Sequence, residues 1–127
     1  MLLLANVACL SFGDEWVKKA DMNIPRKLFA VATLNGKIYV FGGNVSCSDF
    51  SLSSVEEYDP KIDKWTLKDN MPIAKSYICS SVHNGKIYIF GGWDGSKSTS
   101  DVYAYNPLDD SWEKSMICQC REILDQL

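Results

Sequence analysis

Short apolar runs separated by polar turn residues recur along the chain. Residues 35–43 read NGKIYVFGG and residues 84–92 read NGKIYIFGG, so one pattern is written twice, 49 residues apart (84 − 35). In each copy large apolar side chains alternate onto both faces, which indicates a strand buried between two packed layers. The Asn-Gly pair follows another apolar run and predicts a tight hairpin turn, because both turn residues need positive φ.

Other landmarks recur at nearly the same spacing. Residues 55–65 read VEEYDPKIDKW and residues 102–112 read VYAYNPLDDSW, at a shift of 47 (102 − 55). The two-residue difference falls in the polar loop after the double glycine, where insertions are tolerated. Each unit therefore predicts four short antiparallel strands. Tandem units of this length are typical of the blades of a β-propeller.

Several of the repeated residues together resemble the kelch repeat. The likeness covers about residues 16–116 and is most similar to the BTB-kelch family, although no BTB or BACK segment is recognised. In the second copy, Lys75 replaces Arg26, the basic residue of the motif. The motif residues with expected structural roles are Gly42, Gly43, Gly91, Gly92, Tyr58, Tyr105, Trp65, Trp112 and Arg26.

The predicted fold is all-β: a fragment of a kelch-type β-propeller with two four-stranded antiparallel blades and the last strand of a preceding blade. Trp16, Trp65 and Trp112 are expected to lie in strands and in the core, because they follow the same position of the repeat. The predicted segments are an apolar leader at 1–13, the preceding strand and its connection at 14–25, repeats at 26–74 and 75–116, and a non-kelch tail at 117–127 with helical apolar spacing.

Two blades do not close a ring, since propellers use four to eight. The chain is therefore expected to need another part of a propeller, either the remainder of a longer protein or further copies of itself. Three copies would give six blades. A truncated remnant without a stable fold of its own is a further alternative, because its open blade edges would be free to pair.

Charge and cysteine content narrow the functional classes. The net charge is −3 and the 13 Lys and Arg residues form no basic stripe, which argues against nucleic-acid binding. No apolar run reaches the roughly 18 residues needed to span a bilayer. Five cysteines without framework spacing favour a reducing, cytoplasmic compartment. The alternative is secretion, if residues 1–13 act as a signal peptide, with the sequon at 44–46 glycosylated.

The sequence offers little for catalysis. His83 is the single histidine and no nucleophile motif accompanies it, so neither an enzyme nor a cofactor is expected. Cys118 and Cys120 lack a second ligand pair, so no metal site is expected either. Some kelch-like propellers are enzymes, a copper oxidase and a sialic-acid epimerase among them, but they draw on many blades. The acidic residues expected on the solvated surface are Glu56, Glu57, Asp63, Asp109 and Asp110.

The resemblance instead implies a protein-binding module. In this family the propeller selects substrates for a cullin-type ubiquitin ligase or binds actin, and its contacts cluster at two positions of each repeat. One position follows the double glycine and the other follows the basic residue. The partner-binding residues implied for this chain are Asn44, Trp93, Lys27, Leu28, Ser76 and Tyr77.

Overall fold

Two antiparallel sheets of four strands make up the computed structural model, which describes residues 15–45 and 50–115. Strand order follows chain order in both sheets, and the described residues include no helix. The two predicted blades are therefore confirmed. The first blade consists of β1 (Ala30–Leu34), β2 (Lys37–Phe41), β3 (Val55–Asp59) and β4 (Lys64–Lys68). The second consists of β5 (Cys79–His83), β6 (Lys86–Phe90), β7 (Val102–Asn106) and β8 (Ser111–Ser115).

The first hairpin of each blade turns at the predicted Asn-Gly pair. Asn35 and Gly36 have φ values of 54° and 74°, and Asn84 and Gly85 have 47° and 73°. Both turn residues thus adopt the left-handed backbone that a two-residue turn matching the strand twist requires.

The core lies between the two blades. In β2, Tyr39 and Phe41 point toward the second blade, and in β6, Ile87 and Ile89 point toward the first. Phe41 and Ile87 are fully buried, and each such side chain contributes roughly 1.5–3 kcal/mol of transfer free energy. The rest of this cluster consists of Ala30, Ala32, Val55, Met71, Ile78 and Tyr105.

The double glycines allow close approaches at the ends of β2 and β6, toward the second blade at Gly42 and within the second blade at Gly92. A Cβ atom on Gly42 would lie 2.4 Å from the carbonyl oxygen of Lys75, and one on Gly92 would lie 2.3 Å from Ile78. Both glycines also have positive φ. Any other residue at either position would meet a steric clash and backbone strain together.

Each blade also holds the segment that leads into it. In the first blade, Asp63 accepts hydrogen bonds from the Tyr58 hydroxyl (2.7 Å) and the backbone N–H of Ala20 (2.9 Å). The indole N–H of Trp65 donates to the carbonyl oxygen of Ala20 at 2.9 Å. These bonds lower the pKa of Asp63, the backbone N–H of Ala20 contributing most.

The second blade repeats this arrangement at Asp69, 49 residues after Ala20. Asp110 accepts from the Tyr105 hydroxyl (2.7 Å) and the Asp69 backbone N–H (2.9 Å), and Trp112 donates its indole N–H to the Asp69 carbonyl oxygen (3.1 Å). Residues 15–19 therefore occupy the place, relative to the first blade, that β4 occupies relative to the second.

The N-terminal region corrects one prediction. Residues 15–29 form no strand, because no neighbouring strand lies beside residues 15–19 in the described part of the chain. Trp16, expected in the core, is fully exposed for the same reason. Trp65 and Trp112 do lie in strands but are only partly buried; Trp65 packs against Tyr58, and Trp112 packs against Tyr105 and Phe41 at the border of the core. The predicted leader (1–13) and tail (117–127) lie outside the described residues.

Candidate partner-binding end of the blades

The positions implied for partner binding lie at one end of the strands, where each blade forms a small bridged ribbon. In the first blade, Asn44 pairs with Lys27 through two backbone hydrogen bonds of 2.9 Å, and it also bridges to Ser51. In the second blade, Trp93 pairs in the same way with Ser76 and bridges to Ser98. The repeat thus delivers Asn44 and Trp93 to equivalent places.

Short contacts join the two ribbons across the blade boundary. The Ser51 and Ser76 hydroxyl oxygens lie 3.1 Å apart, and the Ser51 hydroxyl also donates to the carbonyl oxygen of Trp93 at 3.3 Å. The backbone N–H of Tyr77 donates to the carbonyl oxygen of Leu28 at 2.9 Å. The ends of both blades therefore form one continuous surface.

An open cleft of about 680 Å³ lies on this surface. It brings together four of the six residues implied for partner binding: Asn44, Ser76, Tyr77 and Trp93. Lys27 and Leu28 do not line the cleft; they support it through their backbone bonds to Asn44 and Tyr77.

Four further residues complete the cleft. Gly92 was expected only to have a structural role, and Gly95, Ser98 and Thr99 were not expected at the site. Ser98 and Thr99 occupy the repeat positions of Ser51 and Leu52, whereas Gly95 lies in the stretch whose length differs between the repeats. Their signal was the Asp-Gly turn at 94–95, which folds the loop back onto Trp93.

Two large residues at this end adopt a left-handed backbone. Leu28 has φ 58° and Tyr77 has φ 54°, at equivalent positions of the two repeats. For a residue with a Cβ this conformation costs roughly 1–2 kcal/mol. Tyr77 is nevertheless 65% exposed, so burial of its side chain returns little of that energy. Such strain is concentrated in functional regions of proteins.

Asn44 carries an unsatisfied polar atom. Its side chain is buried at the base of the cleft, and its Oδ1 atom has no hydrogen-bond partner among the described residues. Leaving a buried acceptor unpaired costs roughly 1–3 kcal/mol. The cleft therefore combines two energetically unfavourable features, the unpaired acceptor of Asn44 and the strained backbone of Tyr77.

A buried ion pair supports the first ribbon from below. The Arg26 guanidinium lies 2.7 Å from Glu56, and both side chains are fully buried. Arg26 also donates to the carbonyl oxygens of Gly42 and Ser54, while Glu56 accepts from the backbone N–H groups of Asn23 and Ile24. Arg26 and Glu56 thus tie the incoming segment to β2 and β3.

Two acidic residues were wrongly expected on the solvated surface. Glu56 is buried because Arg26 and the backbone N–H groups of the incoming segment satisfy its charge. Glu57 is buried as well, and the Lys37 ammonium group pairs with it at 2.7 Å. That hydrogen bond is the main cause of the raised pKa of Lys37.

Lys75 takes the place of Arg26 in the second blade. Its ammonium group donates to the carbonyl oxygen of Gly91 (3.0 Å) and to the Thr99 hydroxyl (2.8 Å). It lies 5.3 Å from the centre of the Tyr103 ring and 3.7 Å from Asp101. Burial lowers the pKa of Lys75, and Asp101 opposes that shift only in part.

The side chain of Asp94, next to Trp93, forms its hydrogen bonds within its own loop. Asp94 accepts hydrogen bonds from the backbone N–H groups of Lys97 and Ser96, both at 2.9 Å, and from the Ser96 hydroxyl. These bonds lower the pKa of Asp94, with the Lys97 N–H first among them. The carboxylate therefore stabilises the loop that forms one wall of the cleft.

Within residues 15–45 and 50–115, no three His, Cys, Asp or Glu side chains converge as metal ligands would. A search of the same residues for a helix long and apolar enough to cross a membrane also finds none.

The comparison with protein families agrees with this architecture. The model of the KLHDC2/KLHL20/DRC7 Kelch-repeats domain matches residues 11–122. The chain belongs to the kelch-repeat family.

Individual kelch proteins show the same likeness. Kelch-like protein 26 of Danio rerio is 37% identical over 107 residues, which cover 81% of this chain and 18% of that protein. F-box/kelch-repeat protein SKIP30 of Arabidopsis thaliana is 45% identical over 49 residues, covering 39% of this chain and 14% of that protein. The chain thus spans less than a fifth of the length of these curated relatives.

A solved structure shows the same fold. The structure of YjhT superimposes with a TM-score of 0.65 and 24% identity, over 77% of this chain and 29% of that one.

Proposed function

We propose that the chain is a non-catalytic protein-interaction module that binds its partner at the cleft between the blade ends. The observation that carries this proposal is the convergence of Asn44, Ser76, Tyr77 and Trp93 on one open cleft. Tyrosine and tryptophan are the side chains most often found at the energetic centres of protein interfaces. A rigid pair of sheets supports the loops that carry them, which favours binding without a large ordering cost.

The proposal extends to the kind of protein in which the blades work. Relatives are named Kelch-like and F-box/kelch-repeat proteins, which supports a role in selecting a protein substrate for an adaptor of a ubiquitin ligase. Binding of actin is the alternative that the BTB-kelch resemblance implies. Both roles would be carried out in the cytoplasm, and the cysteine content supports that location.

A further blade covers each open face in this proposal. Val31 is 53% exposed on the face of the first blade that points away from the second, and Tyr88 and Phe90 are only partly buried on the opposite outer face. Tyr88 and Phe90 correspond to Tyr39 and Phe41, which are buried between the blades. The remainder of a longer protein or a second copy of the chain would supply the cover.

The binding proposal is tested by selecting displayed protein fragments on the immobilised chain and measuring the affinity of a selected fragment for variants. We expect Trp93→Ala and Tyr77→Ala to lower affinity about tenfold or more. The matched control is Leu108→Ala, which removes an exposed apolar side chain from the turn at the other end of the strands. Equal losses for all three variants, or no loss for the first two, would contradict binding at the cleft.

A further inference from the structure

The chemistry of the cleft defines its ligand more narrowly. We propose that it binds an uncharged peptide segment, which offers a hydrogen-bond donor to Asn44 and an apolar or aromatic side chain to Tyr77 and Trp93. This inference rests on the proposed function, because it names the partner class of the same site.

The lining of the cleft carries no charge. All eight lining residues are uncharged, and the neighbouring Asp94 carboxylate is occupied by the N–H groups of its own loop. A charged ligand group that loses its hydration in this cleft meets no opposite charge among the lining residues, which is unfavourable. The lining therefore favours a neutral segment over an acidic or a basic one.

Tyr77 combines a strained backbone with an exposed ring. Its backbone is left-handed at φ 54° although its side chain is largely exposed, so the fold gains little from having a tyrosine there. Glycine would adopt the same backbone without strain. A strained, exposed aromatic residue is explained when its ring serves a partner, and Trp93 on the same cleft adds a second ring.

Asn44 contributes an unpaired hydrogen-bond acceptor. Asn44 lines the cleft, and its Oδ1 atom lacks a donor in the free protein. A backbone or side-chain N–H from a bound peptide would supply one when the Asn44 amide turns toward the cleft. Binding would then remove an energetic deficit that the free protein carries.

The experiment selects a library of random short peptides on the whole chain. We expect the enriched peptides to be uncharged across the contact segment and to contain apolar or aromatic residues. Calorimetry of a synthetic enriched peptide should show an affinity that changes less than about twofold between low and high salt, because no ion pair is screened. Asn44→Leu should weaken this peptide about fivefold or more, since the donor then meets an apolar group.

Two glycine variants separate binding from folding. Asn84 also has a left-handed backbone, at φ 47°, but it lies in the turn between β5 and β6 at the other end of the strands, so Asn84→Gly is the matched control for Tyr77→Gly. Both variants relieve strain, and we expect the melting temperature of each to be unchanged or higher. Only Tyr77→Gly should lower peptide affinity, by about tenfold or more.

The outcomes distinguish the inference from the proposed function. Enrichment of acidic or basic peptides whose affinity falls steeply with salt, but which still require Tyr77, would overturn the uncharged class and leave the binding site in place. No enrichment, or binding that Tyr77→Gly leaves unchanged, would overturn both proposals. A melting temperature lowered by Tyr77→Gly but not by Asn84→Gly would show that the Tyr77 ring serves the fold, against the inference.

Discussion

The two blades share one backbone plan and differ in how each holds the basic residue at its base. In the first, Arg26 is buried with Glu56 as an ion pair. In the second, Lys75 is buried beside the Tyr103 ring and the nearest carboxylate, Asp101, lies 3.7 Å away. Tyr103 occupies the position of Glu56 in the repeat (56 + 47).

The incoming segments explain this difference. Glu56 accepts hydrogen bonds from the backbone N–H groups of Asn23 (2.8 Å) and Ile24 (3.0 Å). The residue of the second repeat that matches Asn23 is Pro72, which has no N–H to donate. A carboxylate at this position therefore accepts from two backbone N–H groups in the first blade, whereas one of these donors is missing in the second. A repeat can thus exchange a close, fully buried ion pair for a ring contact and a longer, partly exposed ion pair when the adjoining backbone loses a donor.

The largest predicted effect comes from neutralising the anion of the first blade. Glu56→Gln keeps the size of the side chain but leaves the buried Arg26 charge without its partner, so we expect a loss of about 3–5 kcal/mol in unfolding free energy. Urea unfolding followed by circular dichroism would measure it. The matched control is Glu113→Gln, which breaks an ion pair with Lys86 on the surface and should cost less than about 1 kcal/mol. Similar losses would contradict the role given to the buried pair.

A smaller effect is predicted for the cation of the second blade. Lys75→Met removes the ammonium group and its bonds to Gly91 and Thr99, while it also ends the burial of a charge whose nearest carboxylate, Asp101, lies 3.7 Å away. We expect a loss of about 1–2 kcal/mol in the same urea assay, because Asp101, at 3.7 Å, is only partly buried and stays solvated when the ammonium group is removed. Arg26→Met in the first blade should cost about 3–5 kcal/mol, because Glu56 is left buried and unpaired. Equal losses at Lys75 and Arg26 would show that the blades hold their cations alike.

The smallest predicted difference concerns alkaline pH. Burial is the main cause that raises the pKa of Tyr105, whereas the hydrogen bond to Asp63 is the main cause for Tyr58. A raised pKa in the folded state means that stability is fully present below the unfolded value of 10.0 and is lost as pH rises above it.

Thermal melts on both sides of that pH would test the tyrosine comparison. We expect Tyr105→Phe to flatten the alkaline loss of stability more than Tyr58→Phe does, because burial contributes less to the raised pKa of Tyr58. At neutral pH each variant should lose about 1 kcal/mol from its missing hydrogen bond. A steeper alkaline loss in Tyr105→Phe than in the unsubstituted chain would contradict the assignment.

The strand architecture followed from the sequence because it rests on local patterns. The Asn-Gly turns, the alternating apolar runs and the double glycines each determine a short-range geometry, and the repeat supplies two independent copies of it. The close approach at Gly42 and Gly92 was expected for the same reason. Local patterns were therefore sufficient for the blades themselves.

The sequence did not reveal what depends on distant partners. Glu56 looks like a surface residue on its own strand, and only the folded chain brings Arg26 and the backbone of Asn23 to it. Trp16 occupies the same repeat position as Trp65, yet it is exposed because no strand lies beside its segment among the described residues. The walls of the cleft at Ser98 and Thr99 were missed because only the folded loop, through the bridge between Trp93 and Ser98, brings them to the cleft.

The central claim is that partners bind at the cleft between the blade ends, and nuclear magnetic resonance of the indole N–H groups tests it most directly. One spectrum reports Trp93 at the cleft together with Trp65 and Trp112, whose indole groups are bonded to Ala20 and Asp69 elsewhere on the blades. On titration with a selected peptide, we predict that the Trp93 signal shifts while those of Trp65 and Trp112 stay in place. A peptide that binds without shifting Trp93, or that shifts Trp65 and Trp112 equally, would contradict the account.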